Sequence, residues 1–354
     1  MKVLQVIDKL EVGGAERVAV DLCSLLYENK IAVDFLNLLQ PAVLDEELLQ
    51  KNIIVKYLYR KNKFNPIYLI RLFMLLNNYT IVHVHSRHVL RYVGLTFLVP
   101  KFFRKYSIIF HDHYGKIEAD KTSSFFLRKC IASCNAYIGV SDSLVAWAMK
   151  NGLNKNIYLL ENIAREKLGF RNIDTKSKIV VVGNFRKQKN YAFLLAILKN
   201  LPETVAIDLY GSLVDQKYYY EIVESAKSLG ILNRINIITN EKYIAEIVAN
   251  YELAIHCAAS ETGPLVALEY MSKGVPLMMF NTGSVAKVLK ENEYDLIMDI
   301  FDEMAWSNRI IEVLNAPDQQ SYLSQKVRMI YQNFFSEKTY LNKCLKIYQN
   351  ILSS

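Results

Sequence analysis

The sequence predicts a two-domain α/β protein in which each half is a doubly wound, mostly parallel sheet flanked by helices. Three observations predict it. The chain has 354 residues, more than one hydrophobic core usually organises. Short apolar runs bounded by turn residues alternate with helically spaced segments, and this alternation occurs twice. Between the two series, Arg165 to Lys178 is charged, contains Gly169 and lacks a clear period.

Taken in order, Val3 to Ile7, Ala32 to Leu38, Thr80 to Val84, Ser107 to Phe110 and Ala136 to Val140 read as strands of the first half. Ala15 to Tyr27, Pro66 to Leu76 and Ser143 to Met149 carry apolar residues at helical spacing between them. The second half opens on the strand Ile179 to Val182, which ends in Gly183. Ala206 to Tyr210, Ile235 to Ile238, Leu253 to His256 and Pro276 to Phe280 continue its sheet. Helices are expected at Tyr191 to Asn200, Tyr218 to Leu229, Tyr243 to Asn250 and Pro264 to Ser272. After Trp306 the chain turns helical, with Tyr322 to Phe335 and Lys338 to Ile351 as the last segments. The expected domains are 1–165, 178–335 and a terminal helix within 336–354.

Composition narrows the function classes. No stretch reaches the roughly 18 apolar residues of a spanning helix, and the first apolar run is too brief for a secretory leader, so a cytoplasmic location is expected. Cys23, Cys130, Cys134, Cys257 and Cys344 are scattered and odd in number, which suits reduced thiols. Cys130 and Cys134, four apart on an expected helix, have no second close pair to complete a metal site and are read as packing. The net charge of +8 resides in the first half: residues 1–176 hold 25 Lys+Arg against 16 Asp+Glu. No nucleic-acid reader motif accompanies it. Lys56 to Lys63 and Lys101 to Lys105 interleave with Tyr57, Tyr59, Phe64, Phe102 and Phe103, a mixture suited either to an anionic membrane surface or to a solvated face over core aromatics.

The sharpest motif is Ser260-Glu261-Thr262-Gly263-Pro264-Leu265-Val266-Ala267-Leu268-Glu269, followed by Met271 and Gly274-Val275-Pro276. Glu261 falls in the loop after a strand, and Glu269 about two turns along the following helix. Free N–H groups at Gly263, Leu265 and Val266 can bind an anion such as a diphosphate, while Pro264 loses nothing by lacking one there. One glutamate can accept hydrogen bonds from sugar hydroxyls and the other from a ribose diol. A second motif, Val182-Gly183-Asn184-Phe185-Arg186-Lys187-Gln188-Lys189-Asn190, supplies cations that can stabilise a leaving diphosphate. A third, Val12-Gly13-Gly14-Ala15-Glu16-Arg17, follows the first strand, where glycine permits close backbone approach. The fourth, Phe110-His111-Asp112-His113-Tyr114-Gly115, ends a strand where open α/β sheets place ligands.

Together these segments resemble the GT4 family of retaining glycosyltransferases, which has the GT-B architecture of two Rossmann-like domains facing across a cleft with C-terminal helices returning to the first. The resemblance implies that Glu261 contacts the transferred sugar, Glu269 the ribose, and Gly263 to Val266 the phosphates. It places Lys189 on the leaving diphosphate, Gly14 and Gly183 beside the donor, and His111 on the donor sugar, with His113 the alternative. The family arginine position holds Asn184, so Arg186 is assigned its role. Lys287 stands where many relatives have a glutamate. Ser141-Asp142 also fits the family, or caps a helix.

No D-x-D and no P-loop are present, so no metal and no cofactor are expected, and the implied donor is a UDP-sugar. His83, His85 and His88 form an H-x-H-x-x-H, but Arg87 stands where a metallo-hydrolase would have an acid, which argues against a metal. The implied activity is transfer of a hexose or N-acetylhexosamine to a glycan or lipid-linked acceptor in bacterial surface polysaccharide synthesis, on the inner face of the membrane. A nucleotide-sugar epimerase of the same architecture, or a non-catalytic partner of another transferase, are the rivals.

Overall fold

The computed structural model describes residues 1–353 except Val12, Phe64, Lys116, Glu118, Ala119, residues 166–170, Asp174, Asn240, Lys242 and Tyr243. The readings placed on Val12, Phe64, Gly169 and Tyr243 therefore lie outside the described residues. The chain divides into two compact units, Met1–Ile163 with Glu337–Ser354, and Ala164–Ser336.

The first unit alternates β1 (Lys2–Ile7), α1 (Gly14–Glu28), β2 (Ala32–Asn37), α2 (Asp45–Gln50), β3 (Val55–Tyr57), α3 (Pro66–Leu76), β4 (Ile81–His85), α4 (Arg87–Val93), β5 (Ser107–Asp112), α5 (Phe125–Ser133), β6 (Ala136–Gly139), α6 (Asp142–Lys150) and β7 (Ile157–Leu159). Its sheet is wholly parallel in the order β3-β2-β1-β4-β5-β6-β7. The order reverses between β1 and β4, where Gln5 stands beside His83, and His85 beside His111 one strand further. The central strands are buried along nearly their whole length, which is why apolar residues dominate them, with Gln5, His83, His85, His111 and Asp112 as buried polar exceptions. Short turns set the helix starts: Asn65 accepts from the Ile67 N–H ahead of Pro66, and Ser124 from Leu127. The C-terminal helix Glu337–Leu352 belongs to this unit, where its buried Tyr348 hydroxyl lies 2.7 Å from His83 Nδ1.

The second unit runs β8 (Ile179–Val182), α7 (Tyr191–Asn200), β9 (Ile207–Tyr210), α8 (Gln216–Ser228), β10 (Ile235–Ile238), α9 (Ile244–Ile247), β11 (Leu253–His256), α10 (Leu265–Lys273), β12 (Leu277–Phe280), α11 (Gly283–Glu291), β13 (Ile297–Met298), α12 (Glu303–Asn315) and α13 (Pro317–Ile330). Its parallel order, β10-β9-β8-β11-β12-β13, reverses between β8 and β11. A continuous core of Val, Ile, Leu and aromatic side chains fills both faces, with Trp306 and Tyr270 fully buried.

Most runs expected from the sequence form their elements within a residue or two at each end. The exceptions are the Tyr322 to Phe335 run, whose helix begins at Pro317 and passes into a wider turn after Ile330, and the run ending at Asn250, which is α-helical to Ile247 and closes in a 3-10 turn. The edge strands β3, β7 and β13 were not expected, nor were α2, α4, α5 as a whole, and α11. At the mouth of the second sheet two backbones touch: a Cβ at Gly211 would lie 2.0 Å from the Gly183 carbonyl oxygen. The Gly183 N–H donates to Tyr210 and the Phe185 N–H to Ser212, so neither strand can retreat. Gly211→Ala should therefore cost about 1–3 kcal/mol in urea unfolding, whereas Gly115→Ala, with open space at its Cβ, should shift stability by less than about 0.5 kcal/mol.

Candidate functional site

In the second unit the loops after β8 and β11 meet at the point where strand order reverses, the position at which open α/β sheets bind ligands. Backbone bonds fix the meeting: the Ala259 N–H donates to the Gln188 carbonyl at 3.0 Å. Lys189, at the end of a 3-10 turn (Lys187–Lys189), reaches Glu261 and forms an ion pair with its Oε1. Both side chains are largely buried. Gly183 makes room for this, because a Cβ there would lie 3.2 Å from Lys189 Cε and 2.8 Å from the Tyr191 hydroxyl.

The Glu261 loop is held from behind by the start of α11. Gly283 has a φ of +77°, and a Cβ on it would lie 2.6 Å from the Glu261 carbonyl oxygen. The Ser284 N–H and hydroxyl both donate to the Thr262 carbonyl, at 2.9 and 3.1 Å. α10 then begins at Leu265, with Pro264 in the capping position. The N–H groups of Leu265 and Val266 make no hydrogen bond among the described residues and sit at the positive end of the helix. Glu269, half-buried, lies further along the same helix. The arrangement thus gathers a lysine, unbonded N–H groups, and carboxylates. Its cationic part can take a diphosphate and its acidic part can accept from hydroxyls.

Two departures from the expected pattern find physical accounts. Asn184 is engaged in folding, since its Oδ1 accepts from the Ser212 N–H at 3.2 Å. Arg186 is exposed, and its guanidinium has no partner among the described residues. Lys287 lies on α11, 4.0 Å from Glu291. Sequence reasoning missed His256, the last residue of β11, whose Nε2 stands 3.8 Å from Glu261 Oε1. Its signal was its place at the end of the strand that leads into the Glu261 loop.

In the first unit, Gly14 opens α1, and a Cβ on it would meet nothing within 4 Å. The chain's own packing does not require glycine there. Arg17 is occupied, bridging Asp21 and Glu47. His111 is fully buried on β5, with neither ring nitrogen in a well-aligned hydrogen bond. His113, half-buried, instead lines a cavity of about 550 Å³ with Ser86, Arg87, His88, Arg91 and Asp112. Burial pushes His113 down to about 3 and holds His111 well below the usual imidazole range, so both rings are neutral at pH 7. Ser141 caps α6 through Leu144.

Residues 142–329 match the family described as "Glycosyl transferases group 1", and residues 12–163 match "Glycosyltransferase Family 4". The chain belongs to this glycosyltransferase family. As a glycosyltransferase it is similar to the N-acetyl-alpha-D-glucosaminyl L-malate synthase of Bacillus anthracis, 23% identical over 57% of this chain, and the match spans about half (53%) of that enzyme's length. It is also similar to the putative glycosyltransferase EpsF of Bacillus subtilis (strain 168), 22% identical with 78% of each chain covered. Its fold is that of GT-B glycosyltransferases: HepE of Anabaena in complex with UDP-glucose aligns with a TM-score of 0.81 at 17% identity over the whole of both chains. A glycosyltransferase from Rickettsia africae ESF-5 aligns at 0.79 and 18% identity, covering 99% of this chain and 98% of that one.

Burial first, and the Lys189 cation second, hold His256 well below its ordinary value, so it is neutral in the native glycosyltransferase. The unfolded chain takes up that proton below about pH 6.5, so stability present above this pH is lost as pH falls toward 5. Urea unfolding at pH 7 and pH 5 should show the wild type losing up to about 2 kcal/mol more than His256→Gln.

Proposed function

We propose that this glycosyltransferase moves a hexose or N-acetylhexosamine from a UDP-sugar to a glycan or lipid-linked acceptor, with retention at the transferred carbon and without a metal. The Lys189–Glu261 pair at the foot of α10 carries this reading. In the absence of donor the two charges satisfy each other. On binding, the lysine would turn to the diphosphate and the glutamate to the sugar hydroxyls, so the cost of exposing either charge is met by the ligand. The N–H groups of Leu265 and Val266, with that of Gly263, would hold the phosphates, Arg186 would add the second cation, and Glu269 would hold the ribose. Gly14 would admit the phosphates closely, and His111 would hydrogen-bond the donor sugar.

In the reaction the bond from the anomeric carbon to the β-phosphate oxygen breaks and the bond to the acceptor oxygen forms on the same face. The acceptor's proton passes to the departing phosphate. Fixed cations and helix N–H groups stabilise the charge that develops there. The HepE structures in complex with UDP and with UDP-glucose support the choice of donor. An uncharacterised protein of the Klebsiella pneumoniae cps region, 22% identical over 77% of this chain, supports a surface-polysaccharide context.

The acceptor side is read as docking on the cytoplasmic face of an anionic membrane. Residues 48–111 contain eleven Lys and Arg and no Asp or Glu. Within and just after that span, Ile67, Ile70, Met74, Leu98, Phe102, Phe103 and Phe125 are exposed, with Leu98 at 84% and Phe102 at 80%. The Lys105 N–H donates to Asn77 Oδ1, which ties the Phe102 segment to the end of α3. Exposed Lys61, Lys63, Arg71, Lys101 and Lys105 accompany these rings, and each cation near such a surface contributes about 1 kcal/mol. No helix among the described residues is long and apolar enough to cross a membrane.

Two outcomes are expected. Glu261→Gln should lower transfer at least about 100-fold while UDP binding, followed by thermal shift, is kept or tightened because Lys189 is released; transfer at the wild-type rate would end the assignment. Separately, Leu98→Asp with Phe102→Asp should abolish sedimentation with phosphatidylglycerol vesicles at low salt and leave UDP binding intact. Absence of wild-type sedimentation at low salt would remove the membrane reading alone.

A further inference from the structure

The first unit holds a buried histidine cluster in which sugar transfer gives a role to His111 and none to His83 or His85. His83 and His85 project from one face of β4, their rings stacked at 4.7 Å with 2° between planes. His111, on the adjoining strand, has its ring 5.2 and 5.5 Å from theirs. One ring nitrogen of each lies within 4.8 Å of those of the other two, and all three residues are fully buried. His83 Nε2 has no protein partner, and neither nitrogen of His111 makes a well-aligned hydrogen bond, the Leu160 backbone being the polar group beside that ring. Buried polar atoms left in this state are destabilising unless something occupies the space between them.

The outer bonds of the cluster fix the tautomer of His85 and leave one nitrogen of His83 without a protein partner. Gln5 Oε1 lies 2.7 Å from His85 Nε2, and a carbonyl oxygen only accepts, so Nε2 carries the hydrogen and Nδ1 keeps its lone pair, which His113 Nε2 meets at 3.1 Å. The Tyr348 hydroxyl, 2.7 Å from His83 Nδ1, leaves His83 Nε2 facing the cluster. Gln5 Nε2 in turn donates to Tyr348, joining the two supports. Outer partners of this type fix the tautomer and ring plane of metal-binding histidines.

We propose that His83, His85 and His111 form a three-histidine site for one divalent ion of the zinc type. Zn–N bonds of about 2.0–2.1 Å put the nitrogens of a tetrahedral site roughly 3.3 Å apart, so the rings must close by about an ångström. His113 Nε2, now 3.1 Å from His85 Nδ1, must also swing aside. Because His113 lines the open cavity, that movement provides the path for the ion. Arg87 does not oppose an ion here. Its guanidinium makes a two-nitrogen ion pair with Asp112 and stacks over Tyr114 and Trp147, so its charge is met by a carboxylate. Nor does His88 take part, as it is exposed and 3.5 Å from Asp8.

Filling the site would withdraw His111 from the donor sugar, so zinc would inhibit transfer; this consequence alone rests on the role proposed above for His111. The binding is tested separately. Chelator-treated full-length protein titrated with Co²⁺ should take up one ion per chain and develop the strong visible bands of four-coordinate cobalt, which Zn²⁺ then bleaches. His83→Gln and His111→Gln should each abolish the bands, His88→Gln should keep them, and Tyr348→Phe should weaken cobalt affinity about 10-fold. Circular dichroism checks that each variant is folded. Bands absent from the wild type, or retained in both folded glutamine variants, would overturn the proposal. Neither result alters UDP binding, whereas a failure of the Glu261→Gln experiment leaves the cobalt spectrum untouched.

Discussion

Close backbone approach at the carboxyl ends of the second sheet is the constraint on which the site depends. Glycines 183, 211 and 283 each stand where a Cβ would collide with a neighbouring loop, and two of those collisions would be with carbonyl oxygens that cannot rotate away. Because the loops touch, Lys189 and Glu261, 72 positions apart in sequence, become an ion pair. The helix that follows then presents its positive end beside that pair. A looser junction would leave the same residues in place in the sequence without converging charge.

The first unit uses the corresponding reversal of strand order differently. There the facing residues are Gln5, His83, His85 and His111, all uncharged in the native state, and the support comes from Tyr348 on the C-terminal helix. One sheet thus offers fixed charge and the other a layer of neutral imidazoles. The difference follows from burial. An ion pair with some access to solvent can remain charged, while rings wholly removed from water shed their protons.

Much of this was legible in the sequence because it rests on local pattern. Strands buried on both faces, such as Val3 to Ile7 and Leu253 to His256, are mostly apolar runs, and α3 announces itself by Asn65-Pro66 at its start. Edge strands β3, β7 and β13 have two or three residues and half-buried side chains, so neither alternation nor an apolar run marks them. The loop carrying Glu261 could be read from its spacing to Glu269 and from Gly274-Val275-Pro276. Its pairing with Lys189 could not, since pairing depends on which strands adjoin. The same limit applies to the histidines: H-x-H-x-x-H pointed to His88, whereas strand pairing replaces it with His111, 26 residues beyond His85 in sequence and directly across from it in the sheet.

In a parallel sheet, histidines at one height on adjoining strands cluster where consecutive positions on the chain cannot. Residues i and i+2 on a strand share a face, so His83 and His85 form a pair from sequence alone. The next residue of the cluster must come from a neighbouring strand at the same height, because i+3 or i+5 on the chain has already entered the following loop or helix. Here β4 gives way to α4 at Arg87, which carries His88 out to solvent and turns Arg87 toward Asp112, on the opposite face of β5 from His111. Alternation along β5 therefore sorts the two chemistries. It sends His111 to the neutral layer and Asp112 to the arginine, and this separation keeps a cation out of a space whose unbonded ring nitrogens call for an electron-pair acceptor.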